Sequence, residues 1–223
     1  NVGTWGTSYP AWMQWMLAAE RPPHLRCINA CSIPLENSDV DWWGAFKPAR
    51  RIKWWLTTIA PDLRRRAGLP GPHTPAEARE VFDELEGAAW MGMLPWMEIV
   101  NHLPPPLDEQ ARRWLENPSV QCWKLAEKHA EIEVPNLDFS GWYDHCASMG
   151  HLRGMQENAG TELARTQTKL VLGPWNHGGL GKRQIGDVDF GPQAEIDMDG
   201  MKIQWFDRWL KGISNGVEQW PAC

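Results

Sequence analysis

NVGTWGTSYPAWMQWMLAAE, residues 1–20, decides how the rest of the chain is read. It starts with a short extended piece. Gly6-Thr7-Ser8-Tyr9 reads as a turn, and Pro10 suits a first helical position, where a backbone N–H would have no intrahelical partner. The helix that follows is apolar almost all round, with Ala11, Trp12, Met13, Trp15, Met16 and Leu17, a pattern that predicts burial on every side. A strand that turns sharply into a buried helix places the Ser8 hydroxyl at the turn.

Composition narrows what that turn can serve. The 223 residues suit one medium domain, or one domain with a subdomain. The chain is 43% apolar and 22% charged, as in an ordinary globular protein. A net charge of −6 gives no basic footprint for nucleic acid. No apolar run approaches the ~18 residues of a membrane span. Trp is over-represented, 16 against 2 Tyr, and such rings can fill a core or line an apolar pocket. Five cysteines is an odd number, and their spacing matches neither a disulfide framework nor a zinc ribbon. Unpaired structural thiols in a reducing compartment, with the cytoplasm favoured, are the expectation. A start at Asn1 without Met and an end at Pro221-Ala222-Cys223 lead us to expect an internal fragment of a longer protein.

Strand and helix signals alternate along most of the chain. Residues 25–32, LRCINACS, predict a second buried strand. From 41 to 130 the character changes. Aromatics and charges recur at helical spacing, and Thr74-Pro75-Ala76-Glu77 is a capping box that opens a helix carrying Val81, Phe82, Leu85, Ala88 and Ala89 on one face. Pro104-Pro105-Pro106 is a rigid break, followed by helical patterns near 107–116 and 120–130. Strand signals return at 134–139 and 168–172, with a helix over 146–158 between them. A last helix begins at Pro192, with Ile196, Met201, Trp205 and Trp209 on one face and Gly212 as its stop. This order predicts a parallel α/β sheet divided as 1–40, 41–130 and 131–223, the middle part a helical insertion. In such sheets ligands sit beyond the carboxyl ends of the strands.

Ser8, Asp144 and His177 each lie just past such an end. Alone, each has an ordinary reading: a turn serine, a capping acid, a packed histidine. Together they form a chemical set. A serine hydroxyl needs a base to take its proton and donors to hold the oxyanion, and a carboxylate fixes the base's tautomer. The order Ser, Asp, His is that of α/β-hydrolases. Gly6-Thr7-Ser8-Tyr9-Pro10 fits the G-x-S-x-G elbow with Pro10 where the second Gly is expected. Competing metal readings are thin. No H-E-x-x-H or Cys/His cluster is present. Asp144-His145 is a poor pair because adjacent side chains diverge, and Asp187-Val188-Asp189 and Asp197-Met198-Asp199 lack the other ligands of a calcium loop. We expect no metal and no cofactor. His24, His73, His102, His129, His145 and His151 take structural readings.

Three segments carry a resemblance: VGTWGTSY around Ser8, SGWYD ending at Asp144, and GPWNH ending at His177. With FGPQAE at 190–195 and WFDRWLKG at 205–212, they resemble the CocE/NonD serine hydrolases, the family of cocaine esterase and the X-Pro dipeptidyl-peptidases (peptidase family S15). The resemblance implies a partial α/β-hydrolase fold lacking early strands, with a helical cap at 41–130. It implies Ser8 as nucleophile, His177 as base, Asp144 as orienting acid and the Tyr9 backbone N–H as one oxyanion donor. The second donor, a tyrosine hydroxyl, and the C-terminal jelly roll would lie outside this chain. Trp42, Trp43 and Trp175 resemble aromatics beside the acyl pocket. The expected partners are a small ester or amide, or a short peptide, with homo-oligomer formation open. An X-Pro dipeptidyl-peptidase and a noncatalytic binding module on the same fold are the alternatives.

Overall fold

The computed structural model describes residues 1–36, 53–84, 92–103, 105, 107–116, 124–144 and 148–223. In chain order these form β1 (Val2–Thr7), α1 (Tyr9–Ala19), β2 (Leu25–Cys31), a π-helical turn (Trp55–Ile59), α2 (Ala60–Arg66), α3 (Pro75–Glu84), a 3-10 helix (Trp96–His102), α4 (Leu107–Glu116) and a second 3-10 helix (Leu125–Glu131). They continue with β3 (Leu137–Gly141), α5 (Ser148–Asn158), α6 (Glu162–Gln167), β4 (Lys169–Gly173), the short β5 (Gln184–Ile185) and β6 (Val188–Asp189), and α7 (Met198–Lys211). Two compact units result, 1–40 with 121–223, and 41–120.

The first unit holds two parallel strand pairs. β1 pairs parallel with β2, and β3 pairs parallel with β4 in unbroken register from Leu137–Lys169 to Gly141–Gly173. Between β2 and β3 there is a single parallel bridge, Ile28 to Asn136. Side chains do the rest of the joining. Ala30 N–H donates to Asn136 Oδ1 at 2.8 Å, Asn136 Nδ2 returns a bond to the Ala30 carbonyl at 3.2 Å, and Asn29 Nδ2 donates to the Leu137 carbonyl at 2.6 Å. Buried polar atoms at a seam must find partners, and these asparagines supply them.

Apolar layers cover both faces. On one, Ala11, Trp15 and Ala18 of α1 pack with Ile28, Ala30, Leu125, Ile132 and Met155. On the other, Cys27, Cys31, Leu137 and Phe139 meet Trp205 and Val217. Each fully buried large side chain contributes about 1.5–3 kcal/mol. Burial pushes the Cys27 thiol up to about 12, against a smaller opposing effect of the Trp205 indole, and it also raises the Cys31 thiol. Both cysteines are free and buried, and Cys223 is free and exposed; Cys122 and Cys146 lie outside the described residues.

Several elements differ from the sequence reading. α1 is one-sided: Ala11, Gln14, Trp15, Ala18 and Ala19 are buried, while Met13 and Leu17 are exposed. Its buried Gln14 accepts from Thr4 Oγ1 at 2.9 Å and donates to the Pro10 carbonyl, so even the covered face is not wholly apolar. Leu125–Glu131 belongs to the first unit, because Leu125 and Ile132 are core residues there; the insertion therefore ends near 120, not 130. Pro192 opens only a 3-10 turn. α7 begins later, where Asp197 Oδ1 accepts from Gly200 N–H at 2.8 Å, and it ends at Gly212 in the left-handed conformation (φ 75°). α6, capped by Thr161, is a short helix between α5 and β4 that the sequence pattern does not predict.

The second unit packs Ala60, Ile99, Val100, Leu103, Leu107 and Ala111 into its own core. The box at α3 forms, with Thr74 Oγ1 accepting from Glu77 N–H and Glu77 Oε2 accepting from His73 N–H at 2.9 Å. Val81 is exposed rather than facing a core; Leu85, Ala88 and Ala89 lie outside the described residues. Among the described residues no helix is long and apolar enough to cross a membrane.

Candidate active site

β1 ends at Thr7 and α1 starts at Tyr9, so Ser8 carries the whole reversal, at φ 67° and ψ −129°. A non-glycine residue persists there only when its surroundings over-determine it. Here Ser8 N–H donates to the Cys31 carbonyl at 2.9 Å, and the Ser8 carbonyl accepts from Ala11 and Trp12 N–H. Gly6 explains how Pro10 is accommodated. A Cβ on Gly6 would lie 2.6 Å from Pro10 Cβ, so the turn closes only because residue 6 has no side chain. Tyr9 is the first residue of α1, and its backbone N–H belongs to the helix end where amides point outward and favour negative charge. Its exposed ring stacks on Trp12 with centroids 5.2 Å apart.

Asp144 follows β3 and His177 follows β4. His177 Nδ1 lies 2.7 Å from Asp144 Oδ2. The Asp144 side chain is closed to solvent, while that of His177 is 39% exposed. A carboxylate on Nδ1 fixes the imidazole so that Nε2 is the basic nitrogen. The two strand exits are locked together: Trp142 N–H donates to the Gly173 carbonyl and Tyr143 N–H to the Trp175 carbonyl, both at 2.9 Å. Gly141 permits this, since a Cβ there would sit 2.0 Å from the Trp175 carbonyl oxygen.

The aromatic expectations fare differently from the polar ones. Trp175 is buried, its ring lies over Gly173, and its indole N–H donates to the Ala194 carbonyl at 2.7 Å. Its ring is thus packed between Gly173 and the Ala194 backbone, where the sequence reading expected a place beside the acyl pocket. Trp42 and Trp43 lie outside the described residues. Exposed rings near the strand exits are Trp142 and Tyr143, the latter tilted against Phe190 at 5.7 Å.

Two histidines given structural readings form a buried pair. His129 Nε2 and His151 Nδ1 are 3.1 Å apart, and the His151 ring stacks on Trp15 at 4.5 Å. Burial pulls His129 down to about 4. His151 is pulled to about 3, first by burial and then by His129, against the backbone of Ile33 and Pro34. Gly154 makes room for them, because a Cβ there would lie 2.1 Å from His129 Nδ1. Among the described residues no three His, Cys, Asp or Glu side chains gather as a metal set. Asp197 caps α7, and Asp189 accepts from Gly191 N–H and pairs with Arg183, which accounts for two of the acids in the Asp-x-Asp pairs.

Strand, tight turn and helix at Ser8, with an acid and a histidine past later parallel strands, define an α/β-hydrolase fold. The family model for X-Pro dipeptidyl-peptidase (S15 family) matches residues 1–179, and the chain belongs to that family. Solved structures share its fold. An aminopeptidase from the marine sediment archaeon Thaumarchaeota archaeon superposes with TM-score 0.63 at 16% identity, over 96% of this chain and 35% of that one. A CocE/NonD family hydrolase from Staphylococcus aureus gives 0.56 at 19%, over 100% and 31%. An alpha-amino acid ester hydrolase gives 0.50 at 16%, over 94% and 34%. The chain thus spans about a third of the length of these structures. No curated protein matches it in sequence.

Proposed function

We propose that this chain carries the catalytic core of a serine hydrolase that cleaves esters or amides of small acyl groups through an acyl-enzyme. The observation that supports it most is the 2.7 Å contact between an accessible His177 and a solvent-closed Asp144, in the same unit as the strand that ends at the strained Ser8. In this reading Ser8 Oγ attacks the acyl carbonyl as His177 Nε2 takes its proton. Asp144 stabilises the imidazolium, and the Tyr9 N–H donates to the oxyanion. The imidazolium then protonates the leaving group. Water, deprotonated by the same histidine, attacks the acyl-enzyme and frees the acid and Ser8.

The family match gives a second reading, release of Xaa-Pro dipeptides, whose site for a free substrate amine is not identified in this chain. Turnover by the full-length protein separates the two. A simple aryl ester cleaved faster than an Xaa-Pro-anilide supports the esterase or acylase; the reverse supports the peptidase. Turnover of neither leaves the noncatalytic module, and turnover unchanged in Ser8→Ala contradicts the serine mechanism in both readings.

A further inference from the structure

One peptide group, between Cys31 and Ser32, touches two parts of the site at once. Its carbonyl accepts from Ser8 N–H at 2.9 Å. Its N–H donates to Asp138 Oδ1 at 3.0 Å. Asp138 sits mid-strand in β3, 3% exposed, on the strand that leads to Asp144. Ser32 answers with its hydroxyl, which donates to the Phe139 carbonyl at 2.9 Å, so the attachment has two points. Both serines are in the left-handed region, Ser8 at φ 67° and Ser32 at φ 50°. Such backbones must be held from outside. An apolar residue at 138 would suit the burial but would leave the Ser32 N–H without its acceptor. A buried carboxyl is costly to desolvate. In return it gives a stronger, charge-assisted bond, and bonds in a chain polarise one another.

We propose that Asp138 is a positioning residue for the nucleophile. Acting through the Cys31–Ser32 peptide, it holds the Ser8 backbone in its turn and ties that turn to the strand that delivers Asp144. This rests on the reading of Ser8, Asp144 and His177 as a triad. Burial pushes the Asp138 carboxyl up to about 7; the Ser148 hydroxyl and the Ser32 N–H oppose this, and the Asp144 charge adds to it. The groups facing it are Asp144 from the following loop and the Cys31 thiol, itself held neutral by burial, with Lys202 of α7 acting on Cys31. Asp138 therefore changes charge near neutrality.

The test compares wild type, Asp138→Ala and Asp138→Asn in the full-length protein. It reads the rate of fluorophosphonate inactivation and amide hydrogen exchange at Ser8 and Ser32, with rescue by the conservative variant as the control. Asp138→Ala should slow inactivation about tenfold or more, as misplaced groups do, and speed exchange at both amides. Asp138→Asn keeps the acceptor but not the charge. It should stay within about threefold of wild type and leave both amides protected, because the Asn oxygen still accepts from Ser32 N–H. Unchanged inactivation and exchange in folded Asp138→Ala overturns the proposal. Inactivation slowed about tenfold, or faster exchange at both amides, in folded Asp138→Asn overturns it as well, and that arm decides if the alanine variant does not fold. Wild type that fails to label overturns the triad reading instead, and amide exchange then still decides whether Asp138 holds Ser8.

Discussion

Two histidine pairings in the first unit have opposite chemistry. His177 faces Asp144 and is open to solvent; His129 and His151 face each other under Trp15 and are buried. A carboxylate partner supports a positive imidazole, so His177 can accept a proton and keep it briefly. A second imidazole in a dry site does the reverse, and burial holds both rings neutral down to about 4 and about 3. Partner and access, rather than residue type, separate the candidate base from the two packing histidines.

The largest expected break in this contrast is His177→Ala, which should lower kcat/KM for any ester substrate about 10⁴-fold or more, while His151→Phe leaves it within about threefold. Comparable losses in both, with both proteins folded, would erase the distinction. Asp144→Asn should cost about 10⁴-fold by presenting the wrong tautomer, again with the fold intact by circular dichroism. Next comes Gly141→Ala. Its Cβ meets a backbone carbonyl that cannot swing aside, so urea unfolding should show a loss of about 3 kcal/mol.

The smallest effect separates the pairs by pH. His129 and His151 bind protons less tightly folded than unfolded, where their ordinary value is 6.5. Their contribution is therefore complete above 6.5 and is lost as pH falls through 4 and 3. His151→Phe should flatten that acid decline in urea midpoints. Asp138 runs the other way. Its carboxyl rises from 3.8 to about 7, so its ionisation weakens the fold as pH climbs through that window, and Asp138→Asn should gain stability above 7 relative to wild type.

How much of this was legible beforehand follows from the range of each signal. Ser8, Asp144 and His177 could be read because each follows a strand at its carboxyl end, and the hydrogen bond between the last two spans 33 residues of ordinary strand–helix–strand. Asp138 could not be found that way, since its partner is a backbone N–H 106 residues away. Trp175 reads as a pocket neighbour because it stands beside the candidate base, and its ring is buried. The counter-signal was the glycines at 141 and 173, which leave room for its backbone and ring. The apolar run in α1 suggested burial all round, but only one of its faces is covered. β5 and β6 are two residues each, too short for any alternation to register.

The most direct check on the central claim is to label the full-length protein with a fluorophosphonate and map the adduct by mass spectrometry. The account predicts one adduct on Ser8 that disappears in Ser8→Ala, is lost in His177→Ala, and persists in His151→Phe. An adduct on another residue, or labelling of Ser8 that is indifferent to His177, contradicts it.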